Sequence, residues 1–158
     1  MIPEKVERVL TAHGLRALEF EEGSTPTAAA AAQKIRVDTN QIAKSLLMKG
    51  KDERYRLFIL PGAGKLSSGH VKRLTGVKHR MASAEETESV TGYRPGGVCP
   101  FALPPEVEIY IDAELKQYAT IYPAAGNNAT GVPVTYATLR EITGAAECAV
   151  CSSPTPAD

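Results

Sequence analysis

One lysine sits where a chain of this kind rarely puts one. The segment QIAKSLLMKG, residues 41–50, is an apolar run carrying Lys44 in its interior, while Lys49 and Lys51 already keep its end soluble. As a strand it places Ile42, Lys44, Leu46 and Met48 on one face and Ala43, Ser45 and Leu47 on the other. Both faces then read as half-buried, the pattern of a strand inside a sheet covered on two sides. Burying an ammonium is costly, so Lys44 must either snorkel to water or meet a partner. The residues alone leave two readings open: a stem packed on the sheet with its head in solvent, or a cation aimed into a cleft where it binds an anion or a polarised oxygen.

The segments around this strand predict a mixed α/β domain. Val6, Val9, Leu10 and His13 recur at helical spacing over 4–13, and Gly14 stops the run. A short strand over 15–20 follows. Thr25 before Pro26 reads as a helix cap with proline at the first helical position, opening an alanine-rich helix to about Lys34. After 41–49, the charged turn GKDER and YRLFIL predict an antiparallel neighbour. Residues 67–75 read as a helix capped by Ser67 or Ser68, and 77–81 as a strand. Ser83 and Glu86 form a capping box for a helix ending near Gly92. Strands are expected at 106–111, 119–122 and PVTY, with Asp112 capping a helical turn and a last helix over 137–143. The expectation is a central twisted mixed sheet or partial barrel of about six to seven strands flanked by helices. It forms one domain over 1–150, with 151–158 a disordered tail.

Composition narrows the function. Of 158 residues, 43% are hydrophobic and 23% charged, enough for a core without disulfide or metal support. Lys plus Arg equals Asp plus Glu at 18 each, so the chain lacks the excess basicity of a protein that wraps nucleic acid. A local patch remains, because Lys65, Lys72, Arg73, Lys78, His79 and Arg80 are close in sequence. The amphipathic N-terminus has no signal-peptide pattern and no apolar run of membrane-spanning length occurs, which predicts a cytoplasmic protein without membrane contact.

Several motifs point less far than they first suggest. GAGKLSSG at 62–69 fails the phosphate-loop pattern twice: Ile59 stands where the first glycine belongs, and Leu66 follows the lysine. His13, His70 and His79 fall in different elements without a Ser, Cys or Asp companion. Cys148 and Cys151 have the spacing of half a zinc site, but no second ligand pair accompanies them. Cys99, in the tight stretch GGVCPF, is a candidate nucleophile that would need a base within reach, or else a small buried residue in a rigid turn.

Four ordered pieces carry a resemblance: TPTAAAAAQKIRVDTNQIAKSLLMKG, YRLFILPGAGKLSSGHVKRLTG, TGYRPGGVCPFALPPEVEIYID and AAGNNATGVPVTYATLREITG. Together they resemble the YbaK/ProX family of aminoacyl-tRNA editing domains over about residues 20–145, in the form of a free-standing prolyl-tRNA editing protein. The resemblance implies hydrolysis of the ester of a mischarged tRNA, such as alanine or cysteine on tRNA for proline, without metal, cofactor or protein nucleophile. It implies that Lys44 and Gly97 carry the chemistry, Lys44 either holding the ribose or phosphate of the terminal adenosine in position or stabilising developing charge. It also implies that Thr25, Gly96, Val98, Cys99, Pro100 and Gly126 meet the substrate, with Cys99 a pocket-wall residue. In this reading the Gly96–Gly97 N–H groups take the carbonyl or oxyanion, and a vicinal ribose hydroxyl of the substrate helps activate water. Lys65, Lys72 and Arg73 are the expected tRNA contacts, and prolyl-tRNA synthetase is a candidate partner of a monomer or weak homodimer. One departure stands out: Ala125 precedes Gly126 where cysteine-specific members usually have serine, and 123–135 holds no acidic residue. A binding module of the same fold that has lost hydrolysis, or an unrelated small-molecule hydrolase or structural protein, is the alternative.

Overall fold

The computed structural model describes residues 2–152. Its helices are α1 (Glu4–Ala12), α2 (Ala28–Ile35), α3 (Ser68–Thr75), α4 (Ala84–Thr91) and α5 (Tyr136–Thr143). Its strands are β1 (Leu18–Glu19), β2 (Ala43–Gly50), β3 (Tyr55–Pro61), β4 (Lys65–Leu66), β5 (His79–Met81), β6 (Glu108–Asp112), β7 (Thr130–Gly131), β8 (Ala146–Cys148) and β9 (Cys151–Ser152). A mixed five-stranded sheet of order β5-β2-β3-β6-β8 forms the centre; β2 is antiparallel to β3 and β5, and β6 is parallel to β3 and β8. The sheet is smaller than the expected six to seven strands, because β1 pairs only with β7 and β4 only with β9.

The two faces of β2 are buried against different layers. Ala43 and Leu47 join Leu57, Ile59 and Ile111 in the main core, with Val6, Leu115, Ile121 and Leu139. Met48 joins Phe58 and Leu60 on the other face, under Val71, Cys148 and Val150. A smaller cluster seats α2 through Ala31 and Ala32 on Ile42, against Tyr122. Alanine suits α2 because its short side chains let the helix approach closely without losing side-chain entropy.

Several local expectations shift by a few residues. The cap of α2 is Thr27, whose hydroxyl accepts from the Ala30 N–H at 3.1 Å, rather than Thr25. Thr25 is instead buried and donates its hydroxyl to the Asn128 carbonyl at 2.6 Å, a partner 103 residues away. Residues 119–122 and PVTY shrink to isolated bridges, Ile121 with Val134 and Ile42 with Tyr122. The capping box of Ser83 and Glu86 is present, as is the Asp112 cap on Glu114.

The chain end also differs. Cys151–Ser152 is a strand on Lys65–Leu66, so order extends past residue 150. The reason is Asp112: its Oδ2 accepts from both the Val150 and Cys151 N–H groups at 2.9 Å. The rest of the expected tail, 153–158, lies outside the described residues.

Candidate active site

A cavity of about 360 Å³ opens along the first half of β2. One wall is β2 itself, from Ala43 to Leu47. Thr25 and the start of α2 form another, and residues of 81–87, the 95–98 loop and the 122–130 loop complete it. The lining is mostly small and apolar, with no Asp or Glu among the described residues that form it.

Lys44 lies on this wall and is half-buried. Its Nζ donates to the Gly64 carbonyl at 2.6 Å. Desolvation by burial lowers its pKa, and the nearby Lys65 charge acts in the same direction, opposed by Cys151. An ammonium has three N–H donors, so this bond leaves two; the groups around the head, Gly64, Lys65 and Cys151, stand off the cavity wall, at its border. The apolar neighbours along β2 anchor the strand in the two cores, while the Gly64 carbonyl, from the turn after β3, sets the direction of the side chain.

The glycine-rich loop contributes through Gly96 and Val98, which line the cavity. Gly97 does not line it, and its N–H is occupied, donating to the Arg94 carbonyl at 2.9 Å. The N–H expected to face the substrate is thus spent within the loop in this structure. Gly97 matters for a different reason: a Cβ there would stand 2.8 Å from Asn127 Cα. Its lack of a side chain lets the two loops that flank the cavity touch backbone to backbone.

Cys99 is fully buried and belongs to the main core, so it is no pocket wall. Burial pushes its thiol pKa up to about 11, which disfavours the thiolate a nucleophile needs. Pro100 is buried and also off the cavity wall. Gly126 has φ +93°, and a Cβ on it would sit 2.8 Å from Pro3 Cδ and Cγ, so it seals the late loop against the N-terminus rather than facing the cavity. Ala125, at the position of the departure, is fully buried and off the wall too; Ala124 lines it instead.

Lys65, Lys72 and Arg73 are all exposed, on β4 and α3. Lys65 is close enough for its charge to act on Lys44. The wall residues Tyr122, Ala124, Asn127 and Thr130 were not anticipated singly. Asn127 and Thr130 are tied into one turn, in which Thr130 Oγ1 accepts from the Ala125 N–H at 2.9 Å and donates to the Asn127 carbonyl at 3.3 Å.

Known proteins resemble the chain along most of its length. The pattern of the aminoacyl-tRNA editing domain matches residues 22–142. The uncharacterized protein YwhH of Bacillus subtilis is 37% identical over 123 residues, covering 78% of each chain. A proline–tRNA ligase of Bacillus licheniformis is 35% identical over 116 residues, 71% of this chain but 20% of the ligase. A crystal structure described as a trans-editing enzyme for prolyl tRNA synthetase superposes with a TM-score of 0.86 at 30% identity, covering 97% of this chain and 100% of that one.

Proposed function

The chain belongs to the aminoacyl-tRNA editing domain family, and from that premise we propose that it hydrolyses the ester of a mischarged tRNA carrying a small amino acid, in the cavity beside Lys44. Alanine or cysteine on tRNA for proline is the substrate type. The observation that carries this reading is the position of Lys44: a half-buried cation, held by one carbonyl, on the wall of a cavity otherwise lined by small apolar groups.

The chemistry asks little of the protein. Water adds to the ester carbonyl, negative charge gathers on the carbonyl oxygen, and the bond to the ribose oxygen breaks, releasing amino acid and tRNA. A positioned cation in a poorly solvated site favours that charge more than water does. Lys44 supplies the cation, and its bond to Gly64 keeps it from reorganising during the reaction. The vicinal ribose hydroxyl of the substrate helps orient the attacking water, so a protein base is not required. The cavity volume, about 360 Å³, is at the small end for ligand pockets of roughly 300–1,000 Å³, which suits a small aminoacyl group with part of the terminal nucleoside.

Lys65, Lys72 and Arg73 supply the local positive surface for the tRNA backbone, since the chain as a whole is neutral. The likeness to a segment of proline–tRNA ligase and to a trans-editing enzyme for prolyl tRNA synthetase supports prolyl-tRNA synthetase as the partner.

The test is release of amino acid from a panel of mischarged tRNAs by the purified chain. Release above the spontaneous rate for small amino acids on tRNA for proline supports the proposal. Binding of tRNA without release favours a recognition module of the same fold. Neither binding nor release overturns both.

A further inference from the structure

β2 has an edge that its neighbours leave uncovered. β5 pairs only with Met48, Lys49 and Gly50. Before that, the Ala82 N–H donates to the Leu47 carbonyl at 3.0 Å, and the Ala43 N–H donates to the Tyr122 carbonyl at 3.1 Å. Both contacts lie on the side of β2 away from β3. In an antiparallel ladder, residues two apart turn their N–H and C=O groups the same way. Ser45 lies between Ala43 and Leu47, so its N–H and C=O turn to the same edge, at a point where every residue from Ala43 to Leu47 lines the cavity.

The rest of Ser45 fits this orientation. Its Oγ is buried and has no hydrogen-bond partner among the described residues, yet the residue as a whole is only half-buried. The Ser45 hydroxyl is therefore not what the residue offers the cavity, and its main chain stays available there. A strand edge inside an apolar cavity is a row of donors and acceptors awaiting a partner.

An aminoacyl group carries the matching set. Its α-amine donates and its acyl carbonyl accepts, in the same relation as the N–H and C=O of one residue in a strand. No Asp or Glu of the described residues lines the cavity, so a neutral acceptor must take the amine. Lys44 adds a like charge, which makes a carboxylate-free amine site still more dependent on such an acceptor.

We propose that the edge of β2 at Ser45 anchors the aminoacyl group as one residue of a missing neighbour strand, the Ser45 carbonyl taking the α-amine and the Ser45 N–H taking the acyl carbonyl. This rests on the editing reading and deepens it: the common part of every amino acid is held by main chain, so side-chain selection is left to the small apolar walls. Extended ligands bind sheet edges in this way elsewhere.

Two measurements test it on the whole chain. The first is amide hydrogen exchange at Ser45 with and without saturating 3′-alanylamino-3′-deoxyadenosine, a non-hydrolysable mimic of the charged tRNA end. Exchange at Ser45 is expected to slow by about tenfold or more, the scale of one added hydrogen bond. The second compares the tRNA ester hydrolysed fastest with its deamino counterpart, alanyl with propanoyl for instance, each divided by its spontaneous rate. The deamino ester is expected to lose about tenfold or more in kcat/KM, because the Ser45 carbonyl is left unpaired. Unchanged exchange at Ser45, or equal normalised rates, overturns the anchor while leaving editing intact. Failure of wild type to deacylate any charged tRNA overturns the editing reading and the anchor with it.

Discussion

Gly97 and Asn127 meet backbone to backbone, so closely that a Cβ on Gly97 would fall 2.8 Å from Asn127 Cα and 3.2 Å from its carbonyl carbon and nitrogen. Every atom in the way is main chain, which cannot rotate aside. Gly97→Ala must push the 95–98 loop off the 122–130 loop. We expect a stability loss of about 1–3 kcal/mol, the usual range for overpacking, with reduced deacylation because Gly96, Val98 and Asn127 share the cavity wall. Thermal melts beside deacylation rates check both effects; a variant as stable and as active as wild type contradicts this packing.

Cys99 gives the opposite expectation for activity. It is buried in the core with its thiol raised to about 11. Cys99→Ala should leave the deacylation rate of the folded protein within a few-fold of wild type while lowering the melting temperature, since a buried group is removed. Thiol alkylation of the native chain should likewise spare Cys99 and label it only after unfolding. Loss of activity without loss of stability would return Cys99 to the chemistry.

Acid should lower the stability of the protein in two stages. At the hairpin between β2 and β3, Arg56 is 5% exposed and reaches Asp52 at 2.8 Å, His79 Nε2 at 2.9 Å and Glu108 at 3.7 Å. Arginine only donates, so Nε2 of His79 accepts, and Nδ1 carries the proton toward the Val77 carbonyl at 3.0 Å. Burial, with Arg56 beside it, lowers the His79 pKa below its usual value. The unfolded chain then binds the proton first, and stability present above about pH 6.5 falls as pH drops toward the folded pKa. Asp52 behaves as a stabilising carboxylate: the Arg56 hydrogen bond holds its pKa at about 2, so its contribution is lost between the ordinary carboxylate range and that value. Urea midpoints from pH 8 to 2 read both stages, and His79→Gln should remove the first.

Asp112 holds the end of the chain to the sheet. It accepts from Glu114, Val150 and Cys151 N–H groups, each at 2.9 Å, and is itself 1% exposed. Asp112→Ala leaves these donors without their acceptor, at an expected cost of about 2–5 kcal/mol. Hydrogen exchange should rise first at Val150 and Cys151. Unchanged protection there would contradict the clamp.

What was legible in the residues was local. The Ser83–Glu86 box, the Asp112 cap and the two buried faces of β2 each lie within a few positions, and all appear in the structure. The missed relationships join distant segments: Thr25 with Asn128, Gly97 with Asn127, Asp112 with Val150. Thr25 shows why. Its sequence context matches a helix cap, and Thr27, two residues on, fits equally well; only the packing of the late loop decides which threonine caps. The same holds at the site. Lys44 was visible as a charge out of place, but Gly64, which aims it, carries no signal beyond a turn. Gly97 was visible as part of a glycine-rich loop, while its occupied N–H depends on a turn made with Arg94.

Lys44→Ala separates a cation that acts on the ester from one that only packs on the sheet. Single-turnover deacylation of a mischarged tRNA that wild type hydrolyses should slow by about 10²–10³-fold, the scale of removing one group that stabilises developing charge, with the melting temperature little changed because the side chain is only half-buried. A folded Lys44→Ala chain that deacylates at the wild-type rate would exclude Lys44 from the chemistry.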